Sequence, residues 1–298
     1  MTWVDNKEFK HRRDMRNPYK IEGPAVVSFS GGRSSGFMLW KILEAYDGEL
    51  PDDIKVVFCN TGLEHHETYE FIHRIEENWC DITWLEYTRK DPNLISQGEF
   101  SKNLSFKITD YKNSSRDGEP FEELIMKNKY SHGGNFIPNA RVRLCTSYLK
   151  IQTQILYLKK KLGWTEWTKV VGLRHDEPRR VNNIKPWIKC EEISAPMHLA
   201  IHDKHDVHEF WNNHPLDLKL TPRRSIYGNC VGCFLKGYST LEMIAREEPK
   251  HLDWWIKIES KLNDKFASEK PNYETIKRDA HLQQAFDFGD TIDCFCTD

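Results

Sequence analysis

The chain has 298 residues, of which 39% are hydrophobic and 30% are charged, and its formal net charge is -2. This composition fits a water-soluble globular protein and excludes the disordered and membrane-spanning classes. No stretch approaches the ~20 apolar residues that cross a bilayer, and the N-terminal MTWVDNKEFKHRRDMRNPYK lacks the apolar core of a signal peptide. We therefore predict a cytoplasmic protein without membrane contact. In that reducing compartment, its eight cysteines favour metal or redox chemistry over a disulfide framework.

Strands and helices are predicted to alternate over the first part of the chain. Short apolar runs rich in β-branched residues predict strands at 25–30, 54–60 and 81–87, with helices at 34–46 and from His66 onward. This order is typical of a doubly wound, mostly parallel α/β sheet. In such sheets ligands bind beyond the carboxyl ends of the strands.

The later segments complete a prediction of three parts for the whole chain. Residues 91–140 are polar and predict a loop-rich insertion or lid; a helix follows at 146–163, and a strand begins at 168. From about residue 200 the pattern favours helices, interrupted by YGNCVGCFLKG at 227–237. The predicted parts are a polar surface arm (1–23), a nucleotide-binding α/β domain (24–200) and a mainly helical, cysteine-bearing C-terminal region (201–298).

A short stretch, SFSGGRSS, lies where the first predicted strand gives way to the first predicted helix. Gly31 and Gly32 let the backbone turn tightly and bring its N–H groups close to a ligand. Ser34 and Ser35 add hydroxyl groups at a helix start, where unpaired amides and the positive end of the helix dipole favour an anion. The stretch predicts a phosphate-binding loop; the alternative is an ordinary turn that uses the glycines for geometry alone.

This loop differs from the Gly-x-x-x-x-Gly-Lys-Ser/Thr loop of mononucleotide kinases and ATPases. It resembles the SGGxxS loop of the PP-loop ATP pyrophosphatases, and most of all that of the phosphoadenosine phosphosulfate (PAPS) reductase family. VVFCNTGLEHHETYEFI (56–72) and VVGLRHDEPRR (170–180) resemble two further elements of that family. The resemblance implies an adenine-nucleotide site. Its residues would be Ser28, Ser30, Gly31, Gly32, Arg33, Ser34, Ser35, Asn60, Thr61, Gly62, Glu64, Gly172, Arg174, Asp176, Arg179 and Arg180.

Three cysteines are predicted to hold a metal group. Cys230 and Cys233 form a Cys-x-x-Cys in a glycine-rich turn, a spacing suited to two thiolates on one metal or cluster. Reductases of adenylyl sulfate hold a [4Fe–4S] cluster with an adjacent Cys-Cys pair and a later Cys-x-x-Cys. By that resemblance, Cys145 joins Cys230 and Cys233 as a ligand. The chain departs from the pattern because Leu144 and Thr146 flank Cys145, so one iron is open or a fourth ligand comes from elsewhere.

Other roles for the thiols remain open at this stage. Four cysteines could hold a structural zinc, or the Cys-x-x-Cys could be a redox dithiol. Cys59, Cys80 and Cys190 are expected to be simple buried thiols. Adjacent His65 and His66 could bind a metal, but such pairs in a turn are usually surface residues.

The C-terminal sequence GDTIDCFCTD bears on catalysis. Sulfonucleotide reductases place a nucleophilic cysteine near their C-terminus in a Glu-Cys-Gly-x-His context, which this chain lacks. Cys294 and Cys296 match by position and residue type alone, and they are also the candidates for the fourth cluster ligand. Together with Arg174 they are the predicted catalytic residues.

Three functions follow from these interpretations. The first is cleavage of ATP between its α- and β-phosphates with Mg²⁺, coupled to sulfur transfer through the iron–sulfur cluster. The second is reduction of PAPS or adenylyl sulfate. The third is a non-catalytic nucleotide-binding subunit similar to the small subunit of ATP sulfurylase. Further predicted partners are a nucleic-acid sulfur acceptor, a protein that donates electrons or sulfur, and a second copy of the chain.

Overall fold

A computed structural model describes residues 17–220 and 226–280 of the chain. Its centre is a sheet of six strands: β1 (Ala25–Ser28), β2 (Ile54–Asn60), β3 (Ile82–Arg89), β5 (Leu104–Thr109), β7 (Trp167–Val171) and β8 (Glu191–Ser194). Their order is β5-β3-β2-β1-β7-β8. All neighbouring pairs are parallel except β3 and β5, which are antiparallel. The predicted mostly parallel α/β sheet is confirmed.

Helices cover both faces of this sheet because its central strands are apolar on both sides. Ala25 and Val27 of β1 belong to the larger hydrophobic core, whereas Val26 belongs to a smaller core on the opposite face. Helices α1 (Arg33–Ala45) and α2 (His66–Asn78) supply the first core, and α4 (Thr153–Lys160) supplies the second. This is the doubly wound arrangement that the sequence predicts.

The region 91–140 contains more regular structure than its polar composition predicts. Strand β5 pairs with β3 through contacts such as Leu85 opposite Ile108 and forms an edge of the main sheet. The region also holds α3 (Glu119–Met126) and a small parallel pair, β4 (Ser96–Gln97) with β6 (Asn128–Lys129). The sequence of β5 is LSFKIT, in which apolar Leu104, Phe106 and Ile108 alternate with polar residues. This alternation is a strand signal that the polar composition of the whole region outweighed.

The helix predicted at 146–163 has two different halves. Cys145–Gln152 is a π-helix, and α4 continues it from Thr153 to Lys160. π-helical turns are rare and occur frequently at functional sites. Sequence periodicity did not distinguish this turn from an α-helix.

The C-terminal part is helical, as predicted. Its helices are α7 (Lys204–Asn213), α8 (Tyr238–Glu247), α9 (Asp253–Leu262) and α10 (Tyr273–Asp279), and the shorter α5 (Pro178–Asn183) and α6 (Pro196–Leu199) precede it. Trp255 of α9 is 1% exposed and packs in the core. The described residues include no helix with the length and apolarity to cross a bilayer.

The predicted N-terminal surface arm is wrong in its last residues. Tyr19 and Ile21 are buried in the core, and the Tyr19 hydroxyl forms a hydrogen bond of 2.6 Å with Nδ1 of His202. The polar residues around them hid two apolar side chains that α1 and the residues before α7 cover. Residues 1–16 lie outside the described part.

Candidate nucleotide site and cysteine turn

The turn between β1 and α1 is held open toward the helix N-terminus. Gly31 has φ +78°, a conformation that glycine adopts without steric cost. Ser35 Oγ accepts the Ser30 N–H at 3.3 Å and donates to the Gly32 carbonyl at 3.0 Å, which ties the turn together. No side chain caps the N-terminus of α1. Its first amides can therefore bind an anion, as helix N-termini in phosphate sites do.

A second loop lies directly against this turn. A Cβ atom on Gly172, just after β7, would lie 3.2 Å from Ser35 Cα, so glycine permits this close approach. Arg174 is buried and donates from Nη1 to Ser34 Oγ at 3.0 Å. Its Nε donates to Asp176 Oδ1 at 2.9 Å, which orients the guanidinium. The structure thus brings two distant predicted motifs together.

The two other arginines of this loop differ in their surroundings. Arg180 forms an ion pair with Glu177, and Arg179 is exposed at the start of α5. Both line the cavity described below. Arginine binds phosphate oxygens through two parallel N–H donors, so either side chain suits a nucleotide.

The side chain of Arg33 is engaged elsewhere. Its guanidinium forms a two-pronged contact with the Asp217 carboxylate, Nε to Oδ1 at 2.8 Å and Nη2 to Oδ2 at 2.6 Å. It also donates to the carbonyls of Leu218 and Leu220. In this arrangement Arg33 contributes its backbone, rather than its guanidinium, to the phosphate loop.

The predicted Asn60, Thr61, Gly62 and Glu64 form a rigid turn after β2. Asn60 is fully buried; its Oδ1 accepts the Gly62 N–H at 3.0 Å, and its Nδ2 donates to Glu86 Oε1 at 2.7 Å. Glu64 is also buried and accepts from the Thr61 hydroxyl at 2.8 Å. These contacts satisfy each buried polar group. The side chains of Asn60 and Glu64 therefore shape the turn.

The Cys-x-x-Cys turn packs on this Asn-Thr-Gly turn. The Thr61 hydroxyl and the Cys230 thiol are 3.3 Å apart, and the Val231 N–H donates to the Leu63 carbonyl at 2.9 Å. Cys230 also forms an isolated β-bridge with Glu64. Burial and the Glu64 charge raise the pKa of the Cys230 thiol. Without a bound cation this thiol is neutral at physiological pH.

The π-helix adds Cys145 and a lysine to the same region. Burial raises the pKa of Cys145, and a negative charge on Cys145 contributes, after other causes, to the raised pKa of Cys230. The charge of Lys150 lowers the pKa of both thiols and so opposes the effect of burial. It acts in the same way on Cys59, where burial raises the pKa to about 12. Lys150 is five positions after Cys145, which is about one turn of a π-helix, so both residues lie on the same side of the helix.

A cavity of about 510 Å³ opens where β1, β2 and β7 end. Its size is that of a typical small-molecule site. Six basic side chains and one acidic side chain line it: Arg143, Lys150, Lys169, Arg179, Arg180, Lys185 and Glu191. Apolar residues such as Val57 and Ile193 form much of the remaining wall. An anionic ligand with an apolar or aromatic portion matches this lining.

Comparison with known proteins decides the family. Residues 24–201 match the phosphoadenosine phosphosulfate reductase domain. The chain belongs to the PAPS reductase family. An uncharacterized nin region protein of Escherichia phage lambda is 28% identical over 224 residues, which cover 75% of this chain and 70% of the phage protein. An uncharacterized protein of Methanocaldococcus jannaschii is 39% identical over 77 residues, 26% of this chain and 15% of that protein.

Membership of the PAPS reductase family supports a nucleotide-dependent, sulfur-related function at the level of the family. The predicted site residues within the described part lie on a few adjoining turns at the carboxyl edge of the sheet. Ser28 adds its hydroxyl to the cavity wall next to Gln154. Cys294 and Cys296 lie outside the described residues, and their predicted roles stay predictions.

Several cavity residues of this PAPS reductase family member belong to none of the predicted site motifs. Arg143 and Lys150 flank Cys145 at short spacing, and these basic residues beside a cysteine are a signal that could have predicted them. Lys169, Lys185 and Trp187 belong to no motif in the chain, and only the fold places them around the cavity. Cys59, Cys80 and Cys190 are partly exposed rather than fully buried, and Cys59 lines the cavity.

Three residues near the cysteine turn satisfy the geometry for a metal but not its chemistry. Ligand atoms of His65, Glu248 and His251 lie within 4.8 Å of one another. His65 is fully buried, contrary to the expected surface position. Its Nδ1 accepts the Glu67 N–H at 3.2 Å, so in the neutral ring the proton is on Nε2, 3.5 Å from Glu248. That tautomer offers no lone pair to a metal, and we interpret the group as structural.

Proposed function

We propose that this PAPS reductase family member cleaves ATP between the α- and β-phosphates and couples the cleavage to sulfur transfer. The loop Ser30–Ser35 would hold phosphates on the N-terminus of α1. The nucleoside would occupy the adjoining cavity. The cysteine group around Cys145, Cys230 and Cys233 would take part in delivering sulfur.

One observation carries this proposal. The cavity with six basic side chains lies at the carboxyl ends of β1, β2 and β7, and Lys150 and Cys59 line it from the side of the thiols. A nucleotide bound there would lie next to the cysteine group. The Gly-Gly-x-Ser form of the loop favours ATP, because the PP-loop pyrophosphatases that it resembles cleave this bond.

Cleavage of ATP in this way requires that the attacking oxygen be positioned and that the charge on the phosphates be neutralised. An oxygen of the sulfur acceptor attacks the α-phosphorus, the bond to the bridging oxygen of the β-phosphate breaks, and pyrophosphate leaves. A sulfur donor then displaces AMP, which departs with the former acceptor oxygen. Arg174 and the amides of α1 are placed to stabilise the charge on the phosphates. Mg²⁺ would add further neutralisation of the leaving pyrophosphate.

The three thiols are not drawn together as closely as the ligands of a single zinc ion are. Zinc with Zn–S bonds of about 2.3 Å brings its ligand sulfurs within about 4 Å of one another. Among the described residues, Cys145, Cys230 and Cys233 form no group with sulfur atoms that close. In a cluster each cysteine binds a different iron, so the sulfurs lie farther apart. The cluster would supply an iron that binds and releases sulfur.

Anaerobic purification with metal analysis tests this proposal first. We expect a broad absorbance near ~400 nm with equal amounts of iron and sulfide, both lost in Cys145→Ala and Cys230→Ala. Cys80→Ala is the matched control, since Cys80 lies at the end of α2 and not in the cavity. ATP and PAPS are then compared as ligands by calorimetry. A colourless protein that contains zinc would contradict the cluster.

Reduction of PAPS or adenylyl sulfate is the second candidate function. The Cys145…Cys230-x-x-Cys233 layout and the arginines at 174–180 favour it, because they would bind sulfate and phosphate oxygens. Tight binding of PAPS, release of sulfite and no release of pyrophosphate from ATP would establish this function instead. A chain that binds ATP but releases neither product would support the non-catalytic subunit.

We further propose a cytoplasmic location and, as partners, a sulfur acceptor of nucleic acid and a protein that donates sulfur or electrons. The six cysteines of the described part are all free thiols, as a reducing compartment favours. The basic cavity lining is complementary to phosphate groups. Self-association as a homodimer stays a prediction that sedimentation measurements test.

A further inference from the structure

The contact between Arg33 and Asp217 joins the phosphate loop to the chain that leads to the cysteine turn. Arg33 is the first residue of α1, and its backbone belongs to the loop. Its guanidinium binds both Asp217 carboxylate oxygens, at 2.8 and 2.6 Å, and the carbonyls of Leu218 and Leu220, at 3.2 and 3.4 Å. Four acceptors on one guanidinium make this a specific contact.

The segment that Arg33 holds is anchored on its other side. Leu218 and Leu220 are buried in the main core, and Arg74 of α2 donates to the Asp217 carbonyl at 3.2 Å. The indole N–H of Trp211 donates to the Arg33 carbonyl at 2.8 Å. Ten positions after Leu220 comes Cys230, the first cysteine of the turn. The position of this segment therefore depends on where the Arg33 side chain lies.

A bound phosphate would compete with Asp217 for this guanidinium. The proposed anion site is at the N-terminus of α1, where Arg33 is the first residue of the helix. A phosphate and a carboxylate offer the same paired oxygens to arginine. Asp217 therefore occupies the guanidinium in the way that a phosphate oxygen pair would.

We propose that Asp217 is a positioning residue, which holds Arg33 away from the phosphate site until a nucleotide binds and so couples nucleotide binding to the segment before the cysteine turn. This inference rests on the proposed nucleotide site. In the free protein the 217–220 segment is fastened to α1. With nucleotide bound, Arg33 turns toward the phosphates and the segment is released.

Asp217→Asn tests the proposal because it keeps the shape of the side chain and removes its charge. We expect the full-length variant to bind ATP about fivefold more tightly than the natural chain in calorimetry. If the contact has only a structural role, Asp217→Asn should bind ATP as tightly as the natural chain or more weakly. Glu242→Gln is the matched control, since Glu242 forms a similar half-buried pair with Arg246 on α8, away from the loop.

Hydrogen–deuterium exchange of peptides over 214–220 gives a second readout. In the natural chain we expect ATP to speed exchange there. In Asp217→Asn, and in Arg33→Lys, which loses the paired donors, exchange should already be fast without ATP. If the natural chain binds ATP while exchange over 214–220 stays unchanged, the coupling is wrong and the nucleotide site stands. If the chain binds neither ATP nor PAPS, the proposed function and the coupling both fail.

Discussion

At the scale of single residues, Lys150 links the two chemical parts of the site. Its side chain lines the cavity proposed to hold the nucleotide, and its charge lowers the pKa values of Cys59, Cys145 and Cys230 against the effect of burial. A cation in this position can stabilise a phosphate and a thiolate alike. The same property makes it a test of whether nucleotide and thiols share one site.

We expect Lys150→Met to weaken ATP binding about tenfold, since a hydrogen bond to a charged group contributes about 1.5–3 kcal/mol. Removing this charge also raises the pKa of Cys59 further above its present value of about 12. Alkylation of Cys59 at fixed pH should slow by about tenfold for each unit of that rise. Peptide mass spectrometry over a pH series measures it.

Lys159→Met is the control for this prediction. Lys159 is exposed on α4 and lies outside the cavity lining. Its replacement should leave both ATP binding and the alkylation of Cys59 unchanged. Equal effects of the two substitutions would show that general surface charge, and not Lys150, sets the behaviour of the site.

At the scale of secondary structure, the start of α2 connects the site to the pH dependence of folding. His65 caps this helix by accepting the Glu67 N–H. Burial, aided by the charge of His66, lowers the pKa of His65. The pKa of His65 in the unfolded chain is about 6.5. As the pH falls below that value, the unfolded chain therefore binds a proton at His65 before the folded chain does. The stabilisation that His65 contributes is complete above that pH and is lost as the pH falls through the folded pKa.

We expect His65→Asn to reduce the loss of stability between about pH 6.5 and pH 5. Asparagine keeps the capping acceptor but does not titrate. Thermal unfolding at several pH values measures the change in slope. His202, His208 and His214 also have lowered pKa values, so part of the slope should remain. His132→Asn, at an exposed histidine that does not affect His65, is the control, and equal slopes in both variants would contradict the prediction.

At the scale of the whole molecule, one hydrophobic core extends across the predicted boundary at residue 200. Val207 and Trp211 of α7 belong to the same core as β1 and α1. The Trp211 and Phe71 rings lie 5.1 Å apart, and Trp211 packs closely on Gly36. The sheet would expose a large apolar face without the helices that follow it. The two predicted parts are expected to fold as one cooperative unit.

A fragment of residues 17–200 tests this expectation. We expect it to lack the near-ultraviolet circular dichroism of fixed aromatic side chains and to unfold without a sharp transition, because its core loses one wall. The full-length chain should show both features. A fragment with a cooperative transition would establish residues 24–200 as an independent domain.

Much of the fold was readable from local patterns. The strand predicted at 54–60 has those bounds in the structure, and the helix predicted from His66 begins there. Buried strands and amphipathic helices are predictable because burial determines which positions along the chain are apolar and which are polar. The turn after β1 was predictable for a similar reason, since Gly31 adopts a backbone conformation that few other residues adopt.

The amino-acid order alone predicted the mostly parallel α/β sheet that the structure confirms. It also predicted a phosphate loop after the first strand and a metal-binding Cys-x-x-Cys turn, which stay predictions. Each of these depends on residues that are close together in the chain. The tertiary structure decided that the cysteine turn packs on Thr61, that Lys150 lines the candidate nucleotide cavity, and that Asp217 takes the side chain of Arg33. Those contacts join residues far apart in sequence, and only the packing of the common core brings them within hydrogen-bonding distance.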